Sequence, residues 1–269
     1  MAEKPIPSEG VIIRAENGDV IGFDETGLIL RLSDKVIADI AARLELKPQA
    51  VAAAALPLPD LPEGIDLWAP RREGDWLFFQ ANLPGAESAR GYRRHVSGGA
   101  VIAEARGPLL AVLGIGGARA GLGSPGPARF RWHVLAPGDD IGAVGMGGEG
   151  EAVVTDALEP PRELTVEALV ADEILARRRE AHQPLPLMLV RAETDMAATA
   201  HDLGSGAAVA NLDQCFANLV AASARLGVGA QVLAVVLDYT LEDLTGDGTA
   251  YRDGMIALME RITRGMARQ

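Results

Sequence analysis

The carboxyl-terminal third of the chain alternates apolar strands with amphipathic helices, and this alternation restricts the fold more than any other feature. Two apolar runs, Leu185–Val190 and Gln231–Leu237, are each followed by a polar loop and then by a helical pattern. The helical patterns cover about Ala207–Leu226 and Ala250–Met266, each with an apolar stripe at helical spacing. Because a strand–helix–strand run forms a right-handed crossover, the two strands are predicted to pair in parallel within one α/β domain.

Further elements upstream extend this domain. Leu109–Ile115 is almost continuously apolar, as expected of a strand covered on both faces. Arg129–Leu135 alternates between apolar and polar residues and is predicted to be a half-buried strand, and Leu164–Ala181 is predicted to be a helix. Two more strands are expected at Trp76–Gln80 and Val101–Arg106, separated by a polar region with a turn. The predicted fold class is therefore a three-layer α/β sandwich with a parallel sheet.

The first 45 residues have the pattern of a separate, β-rich module. Short β-type runs occur at Gly10–Arg14, Val20–Asp24 and Leu28–Leu32, and a helix is predicted from Ser33 to about Leu44. Residues 46–65 are rich in alanine and proline and are predicted to be a stiff, extended linker. We therefore expect an attachment module at residues 1–45, a linker at 46–65, and the α/β domain at 66–269.

Charge and composition exclude several classes of partner. The formal net charge of −12 argues against nucleic acid, which selects clustered lysine and arginine. The sequence has no apolar run of membrane-spanning length and no secretory signal, so we expect a soluble protein made in the cytoplasm. The one cysteine, Cys215, lies within a predicted helix and is expected to be a buried apolar residue.

Three loops after predicted strands contain polar side chains, but none fits a cofactor or a metal. The glycine-rich turn after Leu113 has Arg119 where a dinucleotide fingerprint needs glycine. His201 and Asp202 could form a base and its partner; alternatively, Asp202 and Ser205 begin the following helix while His201 lies in solvent. The acidic residues of the last loop match no calcium-binding spacing; they are Asp238, Glu242, Asp243 and Asp247. We predict neither cofactor nor metal.

Taken together, the same loops resemble the SGNH hydrolases, in particular carbohydrate esterases of the sialate O-acetylesterase type. The family's Gly-Gln-Ser-Asn block corresponds to the segment 114–119, GIGGAR, and its middle block to 191–195, RAETD. Its late Asp-x-x-His-Tyr motif corresponds to 247–251, DGTAY. The resemblance covers about residues 105–267 and implies an SGNH-like fold for that region.

The residues that differ from the family motifs are the catalytic ones. The nucleophile position is Gly116 and the base position is Ala250, so only Asp247 of the triad remains. The resemblance therefore implies a scaffold that has lost catalysis, with no catalytic residue. We expect a former catalytic cleft that still offers ligand-binding groups, namely Gly116, Arg119, Glu193, Asp195, Asp247 and Tyr251.

This layout resembles that of spike or adaptor proteins of phage-like particles such as gene transfer agents. It implies a structural or adhesion protein that contacts other proteins of an assembly through residues 1–45, binds a glycan, and is incorporated into a released particle. The alternative is an active carbohydrate esterase with a displaced nucleophile. That alternative requires Ser124 or Ser205 within hydrogen-bond reach of His201 or His133.

Overall fold

The computed structural model describes residues 10–15, 18–24, 27–30, 67–83, 90–138, 152–195, 198–238, 242–244 and 246–267. The chain divides into two compact units, residues 1–61 and 62–269. The predicted helix from Ser33 to Leu44 and the predicted linker at 46–65 lie outside the described residues.

The first unit contains a three-stranded antiparallel sheet in the order β1-β2-β3. Its strands are β1 (Gly10–Ala15), β2 (Gly18–Asp24) and β3 (Gly27–Leu30). Asp24 pairs with Gly27 and Ala15 with Gly18, so both connections are tight hairpins. The three strands overlap the predicted runs Gly10–Arg14, Val20–Asp24 and Leu28–Leu32, of which residues 31 and 32 lie outside the described residues.

The second unit is built around a five-stranded sheet in the order β11-β10-β13-β8-β14. Its central strands β8 (Leu109–Gly116) and β13 (Met188–Thr194) pair in parallel. On either side, β14 (Ala230–Leu237) and β10 (Val134–Pro137) are also parallel to their neighbours. The edge strand β11 (Leu158–Glu159) is antiparallel, so the sheet is mixed and the prediction of a purely parallel sheet is corrected.

Helices cover both faces of this sheet. Alternate residues of β8 point to opposite faces, and Val112 packs with helix α1 (Val166–Glu180) while Leu113 packs with helix α3 (Ala207–Leu226). A short helix, α2 (Ala200–Ser205), precedes α3, and α4 (Gly248–Met266) packs on both. A 3-10 turn, Glu242–Leu244, lies between β14 and α4.

A separate four-stranded antiparallel sheet, in the order β4-β5-β6-β7, belongs to the same unit. Its strands are β4 (Leu67–Glu73), β5 (Trp76–Ala81), β6 (Arg90–His95) and β7 (Ile102–Ala103). The sequence predicts β5 but misses β4 and β6, and it makes β7 too long. A two-stranded pair joins β9 (Ser124–Pro125) to β12 (Glu163–Leu164).

The predicted strand at Arg129–Leu135 begins later than expected, at Val134. The Asp172 carboxylate accepts hydrogen bonds from the backbone N–H groups of Arg129 and Phe130, at 2.8 and 3.0 Å. The backbone N–H groups of His133 and Val134 then donate to the Phe130 carbonyl oxygen. These bonds hold residues 129–133 in a turn despite their alternating pattern.

Candidate functional site

The strand ends of the central sheet meet at one edge, where the sequence places the candidate cleft. Gly116 is the last residue of β8 and pairs with Thr194, the last residue of β13. The Asp195 backbone N–H donates to the Gly116 carbonyl at 3.1 Å, and the Asp238 backbone N–H donates to the Ile115 carbonyl at 3.1 Å. The chain therefore brings Gly116, Asp195 and Asp238 together at the carboxyl edge of the sheet.

Gly116 has no room for a side chain. A Cβ atom built on this residue would lie 2.8 Å from the Asp238 Cβ, 2.9 Å from the Ala120 Cβ, and 2.9 Å from the Asp238 carbonyl oxygen. Two of these atoms are the first atoms of short side chains and the third is backbone, so no flexible chain end can move aside. Gly116 is thus packed against the residue that follows β14 and could be replaced by serine only if that strand end shifted.

Arg119 lies at the same edge of the sheet and forms an ion pair with Asp238. The guanidinium Nη2 lies 2.5 Å from Oδ1, and Nε donates to Oδ2 at 3.2 Å. The Arg119 side chain is 45% exposed and that of Asp238 is 21% exposed, so the pair faces solvent at the strand ends. Sequence reasoning placed Asp238 only among the acidic loop residues; the available signal was its position directly after an apolar strand.

Glu193 lies inside the protein. Only 1% of its surface is exposed, Arg191 Nε donates to its carboxylate at 2.9 Å, and the Cys215 thiol lies 3.5 Å from the same oxygen. Burial raises the pKa of the Glu193 carboxyl, and the neighbouring Arg191 charge opposes that rise. Its carboxylate thus neutralises a buried arginine below the strand ends and is covered from solvent.

Asp247 and Tyr251 lie at the start of α4. The Asp247 carboxylate caps the helix by accepting from the Thr249 backbone N–H at 2.9 Å. Tyr251 lies in the first turn and is partly exposed. This turn follows the segment in which Asp243 accepts a hydrogen bond from the Ala200 backbone N–H at 3.0 Å, so the start of α4 neighbours the start of α2.

The alternative serine–histidine pairs are not formed among the described residues. The Ser205 hydroxyl donates to the His201 carbonyl oxygen at 3.2 Å and not to its imidazole. His133 is buried, with Nδ1 3.1 Å from the Pro186 carbonyl oxygen, and burial lowers its pKa to about 4. Ser124 is an exposed residue of the two-stranded pair. Asp202 forms a capping box with Thr199, which lowers the pKa of its carboxyl.

Comparisons with protein-family models, with curated proteins and with solved structures found no match. Within the described ranges, no three histidine, cysteine, aspartate or glutamate side chains are grouped so that they could share a metal ion. In the same part of the chain, no helix has both the length and the apolar character needed to cross a bilayer.

Proposed function

We propose that residues 66–269 form a degenerate SGNH-like, three-layer α/β domain whose former catalytic cleft binds a ligand without cleaving it. The observation that carries the proposal is the packing at Gly116, where Asp238 and Ala120 occupy the space that a serine side chain would need. Ala250, at the position of the family's histidine, supplies no base. An acyl transfer at this edge would lack both nucleophile and base.

The ligand that suits this edge is a neutral glycan. Arg119 and Asp238 present exposed donors and acceptors side by side, and Asp195 follows the adjacent strand. Sugar hydroxyl groups both donate and accept hydrogen bonds, so they can bridge such a pair. The net charge of −12 disfavours polyanionic glycans by long-range repulsion, which leaves neutral sugars as the better partners.

The proposed biological role is structural: an adhesion protein displayed as a spike or adaptor on a larger, phage-like assembly. In this proposal residues 1–45 contact other proteins of the assembly. Support comes from the small size of the first sheet, because three strands of six, seven and four residues bury little apolar surface by themselves. The chain would be made in the cytoplasm and incorporated into a released particle, with neither nucleic acid nor membrane insertion involved.

A glycan array probed with the purified chain tests the binding proposal. We expect retention on neutral oligosaccharides and at least a tenfold weaker signal from Arg119→Ala, which removes the donor half of the exposed pair. Arg177→Ala is the control, because Arg177 forms a more exposed ion pair with Glu173 on α1, away from the strand ends. Equal binding by Arg119→Ala and by the natural chain would overturn the assignment of this edge.

A further inference from the structure

A small recess, with a cavity volume of about 20 Å³, lies far from the strand ends discussed above. Arg225 and Leu226 end α3 and lead into the first residue of β14, so they lie at the amino edge of the parallel strands. Strand β6 and the segment 156–158 complete the wall. The recess is mostly apolar and is lined by Trp76, His95, Ile102, Leu158, Arg225 and Leu226, among others.

A serine hydroxyl and an imidazole meet at the rim of this recess. Ser97 follows β6, and its Oγ lies 2.7 Å from His95 Nδ1. The Ser97 backbone N–H also donates to Nδ1 at 3.2 Å, so Nδ1 carries the lone pair and is the acceptor. The hydroxyl proton therefore points at the atom that would remove it, as general-base activation of a serine requires.

The imidazole is held in place and kept neutral. The Trp76 ring packs edge-on against His95, with ring centroids 5.0 Å apart and planes at 87°. Burial lowers the pKa of His95, and the nearby Arg225 charge lowers it further, while the Asp75 and Asp156 carboxylates oppose the shift. His95 is thus an unprotonated base at neutral pH.

Arg225 supplies positive charge to the serine oxygen. Its Nη2 donates to Ser97 Oγ at 3.0 Å, and its Nη1 lies 2.6 Å from the Asp156 carboxylate. The Trp76 indole N–H donates to the Arg225 carbonyl at 3.1 Å, and the Arg225 side chain is only 14% exposed. A guanidinium fixed in this way stabilises negative charge that develops next to Ser97 Oγ.

The hydroxyl is open to an incoming molecule. Ser97 is exposed, and the two residues after it are Gly98 and Gly99, whose φ angles are +107° and +97°. Nothing lies within 4 Å of the position that a Cβ would occupy on either glycine. These positive φ angles favour glycine, and the absence of side chains at both positions leaves the backbone after Ser97 uncovered.

We propose that Ser97 is a nucleophile that hydrolyses small acyl esters, with His95 as general base and Arg225 as the group that stabilises the oxyanion. Ser97 Oγ bonds to the ester carbonyl carbon as its proton passes to His95 Nδ1. The ester C–O bond then breaks, and the departing alcohol takes that proton. A water oxygen then bonds to the acyl carbon as one of its protons passes to His95 Nδ1. The acyl–Oγ bond breaks, Ser97 Oγ takes that proton, and the carboxylic acid leaves.

This site lies apart from the proposed glycan-binding edge, so each proposal can fail without the other. The experiment is reaction of the full-length chain with a fluorophosphonate probe, followed by peptide mapping, and turnover of p-nitrophenyl acetate and butyrate. We expect the phosphonyl adduct on Ser97. Turnover should fall at least 100-fold in Ser97→Ala and in His95→Ala. Ser205→Ala, which removes an exposed hydroxyl bonded only to a backbone carbonyl, should leave both readouts unchanged.

The pH dependence of the hydrolysis rate distinguishes a general base from a residue that only supports the structure. The rate should rise with pH below neutrality as His95 loses its proton and then level off, and His95→Ala should lose this inflection. An adduct on another residue, or turnover by Ser97→Ala equal to that of the natural chain, would overturn the proposal. Because Ser97 is exposed, we expect its alanine variant to keep the fold, and circular dichroism of the variant checks this.

Discussion

Helix α4 packs closely against helix α2 at Gly254, and the methyl group added by an alanine substitution there tests this contact. A Cβ on Gly254 would lie 2.5 Å from the His201 backbone nitrogen, 2.8 Å from the Ala200 carbonyl carbon and 2.9 Å from the His201 Cα. Non-bonded atoms prefer about 3.5–4 Å, so Gly254→Ala must separate α2 and α4 by roughly 1 Å. Overpacking of this kind destabilises by about 1–3 kcal/mol.

The matched control is Gly248→Ala in the first turn of the same helix, where nothing lies within 4 Å of the added atom. Both variants gain helix propensity, by up to about 1 kcal/mol, so their difference isolates the steric term. Hydrogen–deuterium exchange of peptides from residues 248–266 reports the opening free energy of α4. We expect Gly254→Ala to open about 1–3 kcal/mol more easily than Gly248→Ala. Equal protection in the two variants would refute the close approach of the helices.

Two further predictions concern buried charges. Burial lowers the pKa of His133 from 6.5 to about 4. As the pH falls between these two values, His133 is protonated in the unfolded chain but stays neutral in the folded chain, so the folded state is destabilised. The free energy of unfolding in urea should therefore fall by about 3 kcal/mol more for the natural chain than for His133→Gln between pH 7.5 and pH 4. An equal pH dependence of the two chains would contradict this. Arg191→Met leaves the buried Glu193 carboxylate without its cationic partner and should destabilise the folded chain by about 3–5 kcal/mol at pH 7. Because burial already raises the pKa of Glu193, this loss should be larger at pH 8 than at pH 5, and Arg191→Met/Glu193→Leu should recover most of it.

The three long helices could be predicted from the sequence because their signals are local, whereas the short helix α2 lies in a segment predicted to be a loop. The apolar stripe and the glycine after Leu226 place α3 at the bounds observed, and Gly227 adopts the left-handed conformation, with φ of +71°, that ends such helices. The apolar strands β8 and β14 follow from the same kind of pattern within one residue at each end.

The missed strand β6 and the missed end of β13 contain charged residues that are buried in the folded chain. Strand β6 contains Arg93 and Arg94, both buried. Arg93 lies over the Trp76 ring at 4.9 Å, and Arg94 Nε donates to the Gly99 carbonyl at 3.0 Å. Strand β13 likewise extends through the buried Arg191–Glu193 pair, which composition alone assigns to a loop. Contacts in the folded chain overrode local polarity in both strands.

The two candidate sites differ in how much the sequence revealed. The position of Gly116 at a strand end follows from the apolar run before it, but the closure by Asp238 depends on how β14 aligns with β8. The rim of the recess joins His95 and Ser97 to Arg225, which is 128 residues beyond Ser97. No spacing motif contains such a group, so only the folded chain brings it together.

The most direct test of the account is made with the Ser97→Ala variant, in which the proposed nucleophile is absent. Isothermal titration with a neutral oligosaccharide identified on the array, together with release of acetate from its O-acetylated form, measures binding and turnover at the sheet edge alone. The account predicts binding equal to that of the natural chain with no acetate released. Release of acetate by this variant, abolished by Arg119→Ala, would contradict the claim that the edge at Gly116 binds without catalysis.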